Sequence, residues 1–182
     1  MGGCSFETRI EAWDAKSAFD DACERAQHDH GHAGYTGTIA EKHSFTIISP
    51  PSLDEASAEF REWYDKRMGE NDKWGPAFCV VLREPEKVRS LTKAQARKQA
   101  PAVFGSSADV KLSRGKDLFG KPYYHAQVCA ERDEQQWGMN EKLPNGKWLA
   151  TVASADGASA EDAYGRLFAK KGLYLFFGFA SS

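Results

Sequence analysis

Apolar and polar residues recur at two different periods along this chain. Residues 4–10 alternate at every second position, which is typical of a half-buried β-strand. Across residues 15–26 the apolar positions recur at i, i+3, i+4, i+7, i+8 and i+11, and Asp14 stands where a capping side chain is needed. The pattern therefore predicts a strand and then an amphipathic helix over 15–27, which Gly31 ends in a left-handed conformation.

Three further elements are predicted in the first half of the chain. Residues 38–49 are rich in β-branched side chains and predict a strand, which a pair of prolines stops. Ser52 and Glu55 have the spacing of a capping box at the start of a second helix, whose apolar side begins at Leu53. Residues 77–82 are continuously apolar, as in a strand that is covered on both faces.

The middle of the chain has a weaker periodicity. Ser90 is predicted to cap a short helix that runs through Gln99, with Pro101 beyond its end. Residues 105–120 contain clusters of glycine and serine and are predicted to form a loop. A later Pro-Asn-Gly sequence predicts the turn of a hairpin. The stretches with strand character around that turn are 123–130, 139–143 and 147–154.

The C-terminal part of the chain repeats the N-terminal arrangement. Ser159 is predicted to cap a helix over 160–171, whose apolar positions have the spacing of the first helix. Gly172 is predicted to end that helix, and residues 173–179 form a hydrophobic final strand. Two strand-helix-strand units commonly share one sheet. We therefore predict an α+β fold, ferredoxin-like in the broad sense, with a mixed or antiparallel sheet and the helices packed on one face.

Charge is distributed unevenly within a net charge of -2. Residues 1–86 hold nine Lys/Arg and 17 Asp/Glu, residues 87–121 hold nine and two, and residues 122–182 hold six and seven. The length of 182 residues fits one domain, 1–182, in which a basic irregular insertion at 87–121 separates the two units. Such a basic segment is often only a solvated face, but it is also suited to binding phosphate.

Several classes of protein are not indicated. No apolar run approaches the roughly 20 residues that cross a bilayer, and the first residues lack the pattern of a secretory signal. We therefore expect a soluble, cytoplasmic protein with no membrane partner. The four cysteines are far apart and form no Cys-x-x-Cys pair, so we expect buried free thiols. No Gly-x-Ser-x-Gly sequence indicates a nucleophilic hydrolase.

Residues 28–38 have an unusual composition for a connection between a helix and a strand. They include three of the five histidines and three of the 16 glycines. The glycines allow the backbone to approach a ligand and to direct several N–H groups at one anion, although phosphate loops normally precede a helix. We predict that this loop and the basic segment bind a phosphorylated small molecule or nucleotide. The predicted ligand-binding residues are Gly31, Gly34, Tyr35, Thr36, Gly37, Thr38, Lys93, Arg97, Arg114 and Lys116.

The histidines of the same stretch also suit a metal ion. His28 and His32 would lie one turn apart if the helix continued, a spacing that suits zinc, and in an extended loop His28, His30 and His32 would share one side. A metal-dependent hydrolase is therefore an alternative function. The simpler interpretation, which we favour, is a polar helix end with histidines near the negative end of the helix dipole.

Three short motifs stand out: GYTGTIAEK at residues 34–42, KWGPA at 73–77 and LYLFFGFAS at 173–181. Together they resemble a group of uncharacterised bacteriophage proteins. The resemblance implies a phage-encoded protein that acts in the cytoplasm of the host cell, and it transfers no catalytic residue. A protein-binding factor that acts on a host target, as an inhibitor or adaptor, is therefore the first alternative, ahead of the metal-dependent hydrolase. Nucleic acid is expected to bind weakly and nonspecifically at most, because the acidic remainder repels it.

Overall fold

The computed structural model describes residues 2–31, 34–116, 120–135 and 139–181. Within these residues the protein has an α+β fold with four α-helices and two four-stranded β-sheets, which confirms the predicted fold class in its coarse form. Across the same residues, no helix is long and apolar enough to cross a membrane.

The chain divides into two compact units, and the second interrupts the first in sequence. The first unit comprises Met1–Glu86 and Lys171–Ser182, and the second comprises Lys87–Lys170. The elements of the first unit are β1 (Gly3–Ala12), α1 (Ala15–His30), a 3₁₀ turn (Ile39–Glu41), β2 (Phe45–Ile47), α2 (Ala58–Glu70), β3 (Ala77–Arg83) and β8 (Gly172–Ser181). The elements of the second unit are α3 (Lys93–Phe104), β4 (Asp109–Lys116), β5 (Pro122–Arg132), β6 (Met139–Lys142), β7 (Trp148–Gly157) and α4 (Ala160–Arg166).

The last strand of the chain is central to the sheet of the first unit. The strand order is β1-β8-β3-β2, with β8 antiparallel to β1 and β3, and β2 parallel to β3. Tyr174 and Phe176 pack in the cluster that contains α1, whereas Leu175 and Phe177 pack in the cluster that contains α2. Because neighbouring residues of a strand point to opposite faces, α1 and α2 cover opposite faces of this sheet. The prediction that the helices pack on one face is therefore wrong here.

Helix α1 confirms the strongest sequence pattern. The Asp14 carboxylate accepts a hydrogen bond from the Ser17 backbone N–H at 2.8 Å, and Ala18 and Ala22 are buried on the predicted side. The helix continues three residues beyond the predicted end, through His30. Gly31 ends it with a φ of 86°, as predicted, but with a ψ of 175° that differs from the left-handed helical value.

The second unit contains a curled antiparallel sheet with the order β4-β5-β7-β6. Its core is formed mainly by small and branched side chains, including Ala96 and Ala100 of α3 and Val128 of β5. Tyr164 of α4 is also buried there. The predicted hairpin is present, since β6 pairs with β7 around a turn in which Gly146 has a φ of 83°.

The predicted single sheet is wrong, because the strands form two sheets. The helix at 15–27 packs with β1 and β8, whereas the helix at 160–171 packs with β5 and β7 of the other sheet. The repeat of strand, capped helix and strand is real as a local pattern, yet the pattern specifies buried faces and leaves the partner strands undetermined. The ferredoxin-like arrangement is therefore not confirmed, and the single domain stays a prediction.

The predicted strand at 38–49 is largely wrong. Only Phe45–Ile47 forms a strand, because Thr38 caps the 3₁₀ turn with its side chain and turns the backbone away from extended conformation. The second helix begins at Ala58, where Ser57 caps it through the Phe60 N–H at 3.1 Å. The capping box predicted at Ser52 does not form, and Leu53 is 56% exposed.

The basic segment is more regular than predicted. Thr92 rather than Ser90 caps α3, in a capping box with Gln95, and the helix includes Pro101 instead of stopping before it. Half of the predicted loop at 105–120 is the strand β4, which pairs with β5 along its whole length. Val110 is its one residue classed as buried, so the strand carries no apolar alternation by which the sequence could reveal it.

Helix α4 is shorter than predicted, and two smaller expectations fail with it. The last turn tightens, because the Phe168 N–H donates to the Gly165 carbonyl, and the helix ends at Arg166. Gly172 therefore begins β8 instead of ending the helix. The expectation of buried thiols is wrong for Cys4, which is exposed near the start of β1, but is confirmed for Cys79 and Cys129.

Candidate functional site

Residues 34–38 of the predicted ligand loop form a tight turn, in which three of the five residues have positive φ values. Gly34, Tyr35 and Gly37 have φ values of 74°, 58° and 70°. Tyr35 is the one non-glycine residue with positive φ in the described part of the chain, and its side chain is 56% exposed. The loop therefore has the tight backbone that the glycines predicted.

The backbone donors of this loop are directed at an anion that belongs to the chain itself. The Glu41 carboxylate accepts hydrogen bonds from the Thr36 N–H at 3.1 Å and from the Thr36 hydroxyl at 3.0 Å. Burial opposes ionisation of Glu41, but these bonds and one from the Tyr35 backbone outweigh it, so the pKa of Glu41 lies below its ordinary value. The Gly37 N–H donates to the Ser181 carbonyl at 2.8 Å. Thr36 and Gly37 therefore donate to acceptors within the chain, and phosphate binding by this loop stays a prediction.

A buried lysine, Lys42, joins the end of the motif at 34–42 to the turn before β3. Lys42 is 4% exposed, and its ammonium donates to the carbonyls of Asp72 at 2.9 Å, Lys73 at 3.1 Å and Gly75 at 2.9 Å. Burial lowers the pKa of Lys42, although the charge of Asp72 acts in the opposite direction. Together with the bond from Gly37 to Ser181, this contact brings the three motifs at 34–42, 73–77 and 173–181 into one structural cluster.

The predicted metal ligands are only partly described. His28 and His30 lie in the last turn of α1, and residues two apart on a helix point in widely different directions, so the extended arrangement is absent there. The Nδ1 atom of His28 is 3.1 Å from the Asp29 carboxylate. His32 lies outside the described residues. No group of three His, Cys, Asp or Glu side chains suited to a metal occurs among the residues that are described, and the zinc site stays a prediction.

The predicted cations of the basic segment belong to the second unit, whereas the loop belongs to the first. Arg97 forms an ion pair with Asp109 at 2.9 Å, and the Arg114 guanidinium lies 4.8 Å from the centre of the Tyr124 ring. Lys93 is the first residue of α3, and Lys116 is the last of β4. The structure defines each unit separately, so the meeting of loop and basic segment stays a prediction.

A groove in the first unit runs beside β1. A cavity of about 470 Å³ is lined by every residue from 5 to 10 of β1 and by residues of α1, including Ala22 and Ala26. His30, Gly37 and Thr38 also line it. The predicted loop therefore does line a cavity, but that cavity is a groove beside a strand.

The edge of β1 that faces this groove has no partner among the described strands. The ten residues of β1 pair with β8 in an uninterrupted register from Gly3 to Ala12. Alternate residues of an antiparallel strand direct their N–H and C=O groups away from the partner, so roughly half of β1 presents unpaired backbone groups to the groove. We call this feature the β1 edge.

The other sheet edges of the described chain are protected in recognised ways. The strand β2 has three residues and β6 has four, and both are too short to accept a long partner. The eight-residue β4 carries Lys111, Arg114 and Lys116, and cationic side chains oppose pairing at an edge. These cations give part of the basic segment a structural explanation. By contrast, β1 contains neither lysine nor proline, and its three charged residues, Glu7, Arg9 and Glu11, carry both signs instead of one.

The outer face of β1 carries an ordered group of polar side chains. The Arg9 guanidinium donates to Glu55 at 2.6 Å and also contacts Glu7, whose carboxylate accepts from the Tyr64 hydroxyl at 2.7 Å. The hydrogen bond that Arg9 donates to Glu55 is the main reason that the pKa of Arg9 is raised. These contacts hold one negative and one positive side chain, two residues apart, at the middle of the β1 edge. This edge was not predicted from the sequence.

No known protein family, curated protein or solved structure matches this chain. The resemblance of its three motifs to bacteriophage proteins stays a prediction. The β1 edge and its groove are interpreted from their own geometry.

Proposed function

We propose that this chain is a protein-binding module that accepts an extended polypeptide strand at the β1 edge. The observation that carries the proposal is a ten-residue strand, regular along its whole length, with a groove of about 470 Å³ beside its unpaired side. Strand addition at an exposed sheet edge is a common mode of peptide recognition, in which the main chain supplies affinity and alternate side chains supply specificity.

The groove has the shape that an added strand requires. Neighbouring strands lie about 4.8 Å apart, so an incoming strand would occupy the space directly beside residues 5–10. On the α1 side this space is open because Ala22 and Ala26 have small side chains. Phe6 is only partly buried there and offers apolar contact area to an incoming side chain.

The partner strand should alternate in polarity. On the α1 face it would meet Phe6 and Ile10, which favours apolar side chains. On the opposite face it would meet Glu7, Arg9 and Glu11, which favours charged side chains of complementary sign. A polypeptide with this pattern is therefore the expected class of ligand, in agreement with the protein-binding alternative.

A pair of neighbouring proline substitutions tests this proposal. Glu7→Pro and Thr8→Pro each remove one backbone N–H, and in an antiparallel strand one of the two groups faces β8 while the other faces the groove. The variant that removes the groove-facing N–H should keep its fold and lose strand binding. The other should be destabilised, because it removes a hydrogen bond to β8. Each variant therefore serves as the control for the other.

The probe is a library of random peptides long enough to match the ten residues of β1. The wild-type chain is attached sparsely to a surface so that copies do not meet, and bound peptides are sequenced. We expect enrichment of alternating apolar and charged residues, and loss of binding to the groove-blocked proline variant. Peptides that bind both proteins equally, or no enrichment at all, would refute strand addition.

The phosphorylated ligand predicted from sequence has less support. Donors of its loop are engaged by Glu41 and Ser181, and its proposed cations belong to the other unit of the chain. We therefore place protein binding ahead of it. A bacteriophage origin and a host target remain proposals that rest on the motif resemblance.

A further inference from the structure

We infer that the strand which fits the β1 edge is β1 of a second copy of the same chain, so that two sheets join into one sheet of eight strands. This inference rests on the proposed strand addition and names its partner. It is carried by the sequence of the edge itself, Phe6-Glu7-Thr8-Arg9-Ile10, which is complementary to its own reverse.

Symmetry limits the registers that two copies can adopt. Identical strands that pair side by side in antiparallel orientation are related by a two-fold axis perpendicular to the sheet. Directly opposite residues then point to the same face, so odd positions must oppose odd positions and even positions must oppose even ones. The axis must therefore lie beside one residue, which is opposite its own copy. Centring on Glu7 or Thr8 pairs nine of the ten residues of β1, and centring on Phe6 or Arg9 pairs seven. Among these four registers, those centred on Glu7, Thr8 and Arg9 place charged residues opposite each other.

Charge selects one of these three registers. Centring on Glu7 places Glu7 opposite the same residue of the second copy, and centring on Arg9 places two guanidinium groups together. Centring on Thr8 places each Glu7 opposite an Arg9, twice by symmetry. Like charges directly opposite each other destabilise a strand pair, whereas opposite charges stabilise it. The Thr8 register is therefore the favoured one.

The Thr8 register also satisfies the other face of the strand. It places Phe6 opposite Ile10, which is a favourable aromatic and β-branched pair, and Thr8 opposite Thr8. All residues from 4 to 12 are paired, so the whole β1 edge is covered. Such an interface is closed, because each copy uses the same edge and no second β1 edge remains for a third copy.

A charge exchange tests the pairing. Glu7→Arg should weaken the dimer about tenfold or more in sedimentation, since it replaces two attractive pairs by two repulsive ones. Adding Arg9→Glu to the same chain should restore the dimer, because the exchanged residues are again complementary. Glu62→Arg on the exposed side of α2 makes the same change of net charge away from β1 and should leave the dimer intact. Unfolding in urea shows whether each variant is folded.

Spin labels on Cys4 test the register. Cys4 is exposed, whereas burial raises the pKa of Cys23 to about 11 and that of Cys79 to about 12, and Cys129 is buried, so Cys4 should react selectively. At roughly 3.4 Å per residue, the two Cys4 backbones should be about 27 Å apart in the Thr8 register. The Glu7 and Arg9 registers would give about 20 Å and about 34 Å on the same basis.

The possible outcomes separate this inference from the proposed function. A dimer with the 27 Å spacing and rescue by the exchanged pair supports both. A monomer at every concentration that still binds peptides at the β1 edge refutes the second copy and keeps strand addition. A dimer that is indifferent to Glu7→Arg, or one with another spacing, also refutes this pairing. A chain that neither dimerises nor binds peptides refutes both.

Discussion

The buried ammonium of Lys42 provides the sharpest test of how the first unit is held together. Lys42→Met retains most of the aliphatic length of the side chain but removes all three hydrogen bonds to the carbonyls of Asp72, Lys73 and Gly75. The loop that carries these carbonyls leads directly into β3, so the substitution affects both the motif at 34–42 and the motif at 73–77.

The expected loss is about 3 kcal/mol in the free energy of unfolding. A hydrogen bond to a charged group contributes about 1.5–3 kcal/mol, which for three bonds sets an upper limit well above this figure. Two effects make the loss smaller than this limit. The lowered pKa of Lys42 shows that burying the ammonium is unfavourable, and methionine avoids that desolvation. Some of the released carbonyls also reach water. The remaining loss is that of one or two buried carbonyls without a donor.

Urea unfolding of the two proteins measures this difference directly. With a slope of about 1–3 kcal/mol per molar urea, a loss of about 3 kcal/mol lowers the midpoint by at least about 1 M while the slope is unchanged. Lys66→Met on the exposed surface of α2 is the matched control and should shift stability by at most about 0.5 kcal/mol. A loss for Lys42→Met no larger than that of the control would show that the ammonium does not stabilise the cluster.

Three further substitutions test other parts of the fold. Ala22→Asp places an unpaired carboxylate at a site that is 2% exposed, so urea unfolding should show a loss of about 3–5 kcal/mol, and wild-type stability would contradict the α1 packing. Glu41→Gln removes a carboxylate whose pKa is lowered in the folded state. The carboxylate contributes about 1–2 kcal/mol to the free energy of unfolding. This contribution is complete above the ordinary pKa of glutamate and is lost as pH falls through the folded pKa. The variant should therefore be less stable than wild type at pH 7 and as stable as wild type near pH 3. An equal difference at both pH values would contradict this role. Gly165→Ala would place a Cβ against the Arg89 carbonyl oxygen, closer than a side chain can approach, and thermal unfolding should show a loss of about 1–3 kcal/mol. An unchanged midpoint would contradict the close packing of α4.

The elements with one-sided burial could be predicted from sequence, and those without it could not. The spacing of Ala18 and Ala22 identified α1 because that helix buries one stripe against one sheet. In β4, where Val110 is the residue classed as buried, no such contrast exists. Partner strands were also beyond prediction, since the apolar residues of β8 specify that both faces are covered and say nothing about which strands lie beside it.

The candidate site shows the same division. The tight backbone at Gly34 and Gly37 followed from glycine alone, but the group that receives the loop donors did not. Thr38 and Glu41 have the spacing of a capping box, and that signal would have indicated that Glu41 folds back toward the loop. The β1 edge also left a trace, because the residues on either side of Thr8 are complementary when the strand is reversed. An edge, however, is defined by a missing neighbour, which requires the sheet order.

The central position of β8 has a consequence for how the protein is made. Translation produces β1 and β3 early, then the whole of residues 87–170, and only afterwards the strand that lies between β1 and β3. A nascent chain that has not yet reached Gly172 holds β1 without its partner strand and β3 with only the short β2 beside it, while every strand of the second sheet has already been synthesised. Sheet formation in the first unit must therefore wait for the second unit to be translated, and a ribosome that stalls in that interval presents β1 and β3 to any chaperone that binds extended, apolar segments.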